Sequence, residues 1–138
     1  MKRRKQRELV FLLLFESIFT GYTLEEIKEH KVFLNILDEG DFNEFVVSYF
    51  KGIIENVSQI DELIDKNSLK WGKDRLSKVA ITLLRIAVYE MLYRDDIPTS
   101  VAINEAIELS KKYGTDKESN FINGILGGIS RGMETLDV

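Results

Sequence analysis

Cysteine is absent from this sequence. Its absence excludes a disulfide framework and any thiolate-held metal, and it fits a reducing compartment, so a cytoplasmic location is expected. There is one proline, Pro98, and β-branched runs are few, a combination that favours helices over strands. The single histidine, His30, falls on a short, exposed helix and reads as a solvated side chain rather than a base or a ligand. No glycine-rich loop joins a strand to a helix, so no phosphate-cradling motif is present. The acidic pairs Glu25-Glu26 and Asp95-Asp96 read as solvated turns. No catalytic residue, no metal and no cofactor are therefore expected, and the chain reads as a non-enzyme. The apolar run Leu9 to Phe15 is too short to cross a bilayer. No small-residue cleavage site follows it, so neither a signal peptide nor a membrane association is expected.

The residues that are present suit one globular domain. Of 138 residues, 44% are hydrophobic and 30% charged, enough to build a real core. Net charge is −4, which argues against a general nucleic-acid binder. The distribution is uneven, however. Lys2, Arg3, Arg4, Lys5 and Arg7 are five of the 19 cations, and they leave 14 bases against 23 acids in the remaining chain, a formal −9. A short anion-binding arm on an acidic body is the physical reading. Arg3 or Arg4 with Arg7 would share one side of a helix, and planar guanidinium forks suit phosphate.

Hydrophobic spacing predicts helices throughout. The first is expected from about Lys2 to Phe19, with Val10, Phe11, Leu14, Phe15 and Ile18 inward, Glu8 and Glu16 outward, and Thr20-Gly21 as its end. Thr23 and Glu26 have capping-box spacing and open a short helix to about His30. Asp41-Phe42-Asn43-Glu44 is a second start signal of the same type. Phe42, Phe45, Val46, Tyr49, Phe50, Ile53, Ile54 and Val57 follow at helical steps, and helix continues from Ser58 to Lys66. A connector from Asn67 to Gly72 lets Trp71 fold back. The central helix carries Leu76, Val79, Ala80, Leu83, Leu84, Ala87, Val88 and Met91, an apolar face wide enough for the middle of a bundle. Pro98 ends the turn after it, Thr99 or Ser100 is expected to cap the next helix, and Gly114 to close it in a left-handed cap. Thr115 to Ser119 reads as a polar loop. Phe121, Ile122, Ile125, Leu126 and Ile129 mark a last helix, on which Gly124 and Gly128 admit a close neighbour. Met133 to Val138 reads as a frayed tail. The core is expected to include Leu83, Leu84, Ala87 and Ile107. Arg85 should pair with Glu105 or another buried acceptor, and Asn104 and Glu105 should link the two central helices.

The order Trp71, Arg75-Leu76, Leu84-Arg85-Ile86-Ala87, Tyr89-Glu90, Ile97-Pro98, Val101-Ala102-Ile103-Asn104-Glu105-Ala106, Phe121 and Asn123-Gly124 resembles the bacterial transcription antitermination factor NusB family over roughly half the chain. The resemblance implies an all-α fold of about six or seven helices, with an amino-terminal bundle packed on a carboxy-terminal one. Residues 1–138 would form a single RNA-binding domain, with 1–67 and 68–138 as its two helical parts. It further implies that Lys2, Arg3, Arg4, Lys5 and Arg7 meet the boxA segment of leader RNA, with Gln6 replacing a common alanine. Tyr113, Lys117, Asn120 and Phe121, around the expected polar loop, would lie near the RNA, Lys117 standing where some relatives carry an acid. Phe15 and Glu90 would contact NusE, a small-subunit ribosomal protein, within an RNA polymerase antitermination complex. A homodimer is compatible with this pattern. Two rivals remain: a NusB-like module of an RNA cytosine methyltransferase, and a structural protein-interaction domain with an incidental basic arm.

Overall fold

The computed structural model describes residues 2–71 and 76–136, and the side chains of these up to Glu134. Arg75 and Gly72, and the last two residues of the expected tail, lie outside the described residues. Among the described residues there are seven α-helices, two 3₁₀ turns and no strand. The chain forms two compact units, Met1–Glu55 and Asn56–Val138.

The first unit contains α1 (Arg3–Thr20), α2 (Leu24–Phe33), a 3₁₀ turn (Glu39–Asp41) and α3 (Glu44–Glu55). Helix α1 packs on α2 and α3, burying Val10, Phe11, Leu13 and Leu14 against Leu24, Ile27, Phe45, Val46, Tyr49 and Ile53. It ends where expected: Gly21 takes φ 73°, the left-handed conformation that glycine adopts without steric cost, and its N–H donates to the Ser17 carbonyl at 2.8 Å. The Thr23–Glu26 capping box forms in both directions, and α2 runs one turn beyond His30. Glu25, in its first turn, is held below the usual carboxylate range by a backbone N–H and by Lys51.

The second start signal is shifted. Asp41 turns back to accept the Asp38 N–H at 2.8 Å, so it closes the 3₁₀ turn. Asn43 Oδ1 accepts the Val46 N–H and opens α3 instead. Helix is also interrupted at Asn56 (φ −110°, ψ 13°), which divides the expected continuous run into α3 and α4 (Val57–Ser68).

In the second unit, α4 leads into a 3₁₀ turn (Leu69–Trp71), followed by α5 (Lys78–Tyr93), α6 (Thr99–Tyr113) and α7 (Asp116–Leu136). Helix α5 lies against α4, α6 and α7. It is buried over most of its circumference, with Thr82, Ile86, Tyr89 and Glu90 enclosed besides the expected apolar face. Ser77 caps it by accepting the Ala80 N–H at 3.0 Å. Arg85 pairs in a two-pronged bond with Asp61 of α4, both contacts 2.9 Å, so the acceptor left open in the sequence is Asp61.

Five local expectations for this unit are corrected. Pro98 is itself the residue before α6, and neither Thr99 nor Ser100 caps it. Thr99 is already the first helical residue, one position past the one from which a side-chain oxygen caps the free amides. Gly114 is extended (φ −124°, ψ −154°) rather than left-handed. Its lack of a side chain serves proximity instead: a Cβ there would stand 2.8 Å from Glu118 Oε2 and 3.1 Å from the Ser110 carbonyl. Residues 116–119 are helix, because Thr115 Oγ1 accepts the Glu118 N–H and starts α7 early. Helix continues through Met133 to Leu136 where a frayed tail is expected. Ile107 is only half-buried, while Leu83, Leu84 and Ala87 are buried as expected.

The glycine pair on α7 has the expected effect. The Trp71 indole fills the space beside Gly124, and the Asn67 amide fills that beside Gly128. Together they let α4 and the 3₁₀ turn approach α7.

Candidate nucleic-acid interface

Helix α1 begins inside the cationic stretch. Lys2, Arg3, Arg4 and Lys5 are exposed. No side chain caps the helix start and no acid lies in its first turn. The helix dipole therefore adds partial positive charge to four side-chain cations, and a helix start of this kind is suited to phosphate. The Arg3 guanidinium rests 4.1 Å above the Phe45 ring centroid, which restrains it, and the residue stays exposed. Arg7 is different: it is 3% exposed. Arg7 therefore turns inward although Arg3, one turn earlier, stays exposed, and the solvent-facing cations are Lys2 to Lys5.

A second surface lies at the junction of α6 and α7. Tyr113 ends α6, half-buried, with Lys112 Nζ 5.4 Å from its ring centroid. Lys117 and Asn120 are exposed on the first turns of α7. Lys117 Nζ lies 5.9 Å from the Phe121 centroid. Phe121 itself is 7% exposed and packs on Trp71 at 5.4 Å between centroids. Its ring is thus mostly core, and the half-exposed aromatic beside it is Trp71, with Lys70 Nζ 5.8 Å from its centroid. Glu118 accepts the Ser77 hydroxyl at 2.9 Å, which fastens the start of α7 to the cap of α5. Ser110 and Ser119 bond across α6 and α7 at 2.6 Å.

Between α6 and α7 runs a groove of about 630 Å³, lined by Ser100, Ile103, Asn104, Ile107, Asn120 and Asn123 together with Lys111 and Asp116. Asn104, expected to link the central helices, is exposed here instead. Nothing in the sequence marks Trp71 or Ser100 as a surface group, and a loop over residues 115–119 hides the exposed position of Asn123. The Thr115-x-x-Glu118 spacing, a helix-start signal, would have placed Asn120 and Asn123 on one exposed helical face.

The two expected partner residues differ in environment. Phe15 is half-buried in an aromatic row, 5.8 Å from Phe11 and 4.8 Å from Phe19. It lines an apolar groove with Leu12, Phe19, Ile36 and Leu37, where Leu12, Phe19 and Ile36 are 41%, 59% and 58% exposed. Glu90 has no exposure at all. A carboxylate enclosed there must be uncovered before it can meet an incoming cation. Among the described residues no group of three or more His, Asp or Glu side chains is arranged to hold a metal ion. No described helix is long and apolar enough to cross a membrane.

Fold and site together describe an all-α protein that presents a cationic helix start and a mixed aromatic, lysine and amide face. Known proteins narrow that class. The NusB family pattern matches residues 4–131. The chain is 42% identical over 140 residues to the transcription antitermination protein NusB of Clostridium botulinum (strain Kyoto / Type A2), covering 92% of this chain and 98% of that one. It is 40% identical over 134 residues to the protein of the same name from Bacillus subtilis (strain 168), covering 97% and 98%. The solved structure of T. maritima NusB superposes with a TM-score of 0.80 at 40% identity, covering 100% of this chain and 99% of that one. A crystal structure of the antitermination factors NusB and NusE in complex with double-stranded RNA superposes with a TM-score of 0.78 at 25% identity, covering 96% and 99%. The chain belongs to the NusB family.

Proposed function

We propose that this chain is an RNA-binding transcription antitermination factor. With the ribosomal protein NusE it binds boxA-type RNA in nascent transcripts, chiefly of ribosomal RNA operons, and joins an RNA polymerase antitermination complex in the cytoplasm. Residues 1–138 act as one RNA-binding domain, and the work is assembly rather than catalysis. The observation that carries this reading is the exposed run Lys2 to Lys5 on the uncapped start of α1, in a chain whose relatives are antitermination proteins.

The division of labour follows from charge. Lys2, Arg3, Arg4 and Lys5 hold phosphates, which positions RNA without reading it. Lys117, Asn120, Tyr113 and Trp71, the last backed by Phe121, supply cation, amide and aromatic surface for base contact. Arg7 supports the arm from beneath. The acidic remainder of the chain attracts a basic ribosomal protein, and the apolar face of Leu12, Phe15 and Phe19 provides its anchor. Joining two RNA-binding subunits raises the affinity of each weak site. Fluorescence anisotropy with boxA and scrambled RNA, with and without NusE, is the test. Preference for boxA that grows with NusE supports the reading. Equal, salt-insensitive and NusE-independent binding of both RNAs would leave only a structural interaction domain.

A further inference from the structure

The groove between α6 and α7 is chemically unlike the cationic arm. Its lining carries one cation and one anion, Lys111 and Asp116, and Lys111 already donates to Glu108 at 3.4 Å. Such a balanced pair does not select a phosphate. The other polar groups of the lining are neutral and hydrogen-bonding: Ser100 and Asn104 from α6, Asn120 and Asn123 from α7. Ser119, also in the lining, is committed to Ser110. Among the described residues, the side chains of Asn104, Asn120 and Asn123 make no hydrogen bond to another protein group. Each carboxamide therefore offers a donor pair and an acceptor side by side. Ile103 and Ile107, one helical turn apart, add an apolar strip to the same groove. The volume, about 630 Å³, lies within the range of small-ligand clefts, roughly 300–1,000 Å³.

An apolar strip beside paired amide donors and acceptors matches a flat, neutral heteroaromatic ring with hydrogen-bonding edges. We propose that this groove receives one unstacked nucleobase of single-stranded RNA, with its face on Ile103 and Ile107 and its edge on Asn104 and Asn123. The assignment rests on the RNA-binding reading above and deepens it: the arm holds the backbone, and this groove reads a base. Asn120 joins the groove to Lys117, three residues earlier on α7, so a strand crossing the α6–α7 junction can place one nucleotide in each. Carboxamides pair with base edges in two-pronged fashion, and single-stranded RNA is the form whose bases are free to enter.

The test uses the full chain and a boxA-type RNA oligonucleotide in which each nucleotide in turn is made abasic. Removal of one particular base should weaken binding to the wild-type protein by about tenfold, the order expected for a single stacked and bonded base. The Asn104→Ala/Asn123→Ala variant carries changes at two exposed positions and should keep the wild-type melting temperature. It should bind the intact RNA about tenfold more weakly, with an unchanged salt slope, and lose its sensitivity to that one abasic position. Retention of wild-type affinity and of the wild-type abasic profile overturns the groove assignment. So does a variant that loses NusE affinity while RNA affinity stays constant, since the groove is then a protein contact. A variant of Lys2, Arg3, Arg4 and Lys5 separates the two levels. If that variant weakens RNA binding while the groove variant does not, the RNA reading stands and the groove assignment falls.

Discussion

The Trp71 indole stands in the space that a side chain on Gly124 would need: a Cβ there would meet Cε2 at 2.8 Å and Nε1 at 3.0 Å. The ring is restrained in turn by Phe121, whose centroid lies 5.4 Å away. Gly124→Ala gains up to about 1 kcal/mol of helix propensity. It must also displace a packed ring, an overpacking cost of about 1–3 kcal/mol. Net destabilisation is expected, with a red shift of the emission from the single tryptophan. Gly132→Ala is the contrast, because a Cβ there meets nothing within 4 Å, and it should stabilise by up to about 1 kcal/mol. Equal melting temperatures for the two variants would show that Trp71 is not held against Gly124.

Leu84 has no exposure, at the centre of the helix that touches α4, α6 and α7. Leu84→Ala should cost about 2–5 kcal/mol, the lost transfer energy plus a cavity. Urea unfolding followed by circular dichroism measures it, and a loss below about 1 kcal/mol would place Leu84 outside the tightly packed core.

The elements legible in the sequence were those whose signal is local. The 3.6-residue apolar spacing of α3, the Thr23–Glu26 box, the Gly21 stop and the Gly124/Gly128 pair all appear in the structure where spacing placed them. The errors arose where two local signals competed. Asp41 and Asn43 both suit a helix start, and the backbone geometry around Asp38 decided between them. Polar residues 115–119 looked like a loop because their apolar partners come later, although Thr115 and Glu118 already carried the start signal. The candidate site was less legible because exposure is a tertiary property. Arg7 and Glu90 read as surface charges by type, yet both are buried. Asn104 read as a structural link, yet it lines an open groove.

The arm should reveal itself through charge. Alanine at Lys2, Arg3, Arg4 and Lys5 removes exposed cations and the stacking of Arg3 over Phe45. Binding to matched and scrambled RNA should fall together, because phosphate contacts carry no sequence information. The logarithmic salt slope should flatten by about 0.7 for each phosphate no longer neutralised on single-stranded RNA. Arg7→Ala should act differently. It empties a buried position whose side chain interacts with other groups, so a lower melting temperature is its main effect. If Arg7→Ala kept full stability and lost RNA affinity with a flattened slope, Arg7 would belong among the phosphate-binding residues.

The apolar face of the first unit and Glu90 should separate on mutation. Phe19 is 59% exposed and meets Phe15 edge-on at 4.8 Å between ring centroids. Exposed aromatic rings with apolar neighbours are the commonest anchors of protein interfaces, and truncating one costs about 2 kcal/mol or more of binding when it is central. Phe19→Ala should therefore weaken NusE binding strongly while it shifts the melting temperature little. Glu90 has no exposure and interacts with other groups of the chain. Glu90→Lys would enclose a charge of the wrong sign and leave its neighbours unpaired, a defect of roughly 3–5 kcal/mol. NusE binding would then fail only because the protein unfolds. Glu90→Gln keeps the shape and should fold, with lower stability and near-normal NusE affinity. Calorimetric titration with NusE, run beside thermal unfolding of each variant, distinguishes the two roles. A folded Glu90→Gln protein that has lost NusE, together with a Phe19→Ala protein that retains it, would move the partner contact back to α5.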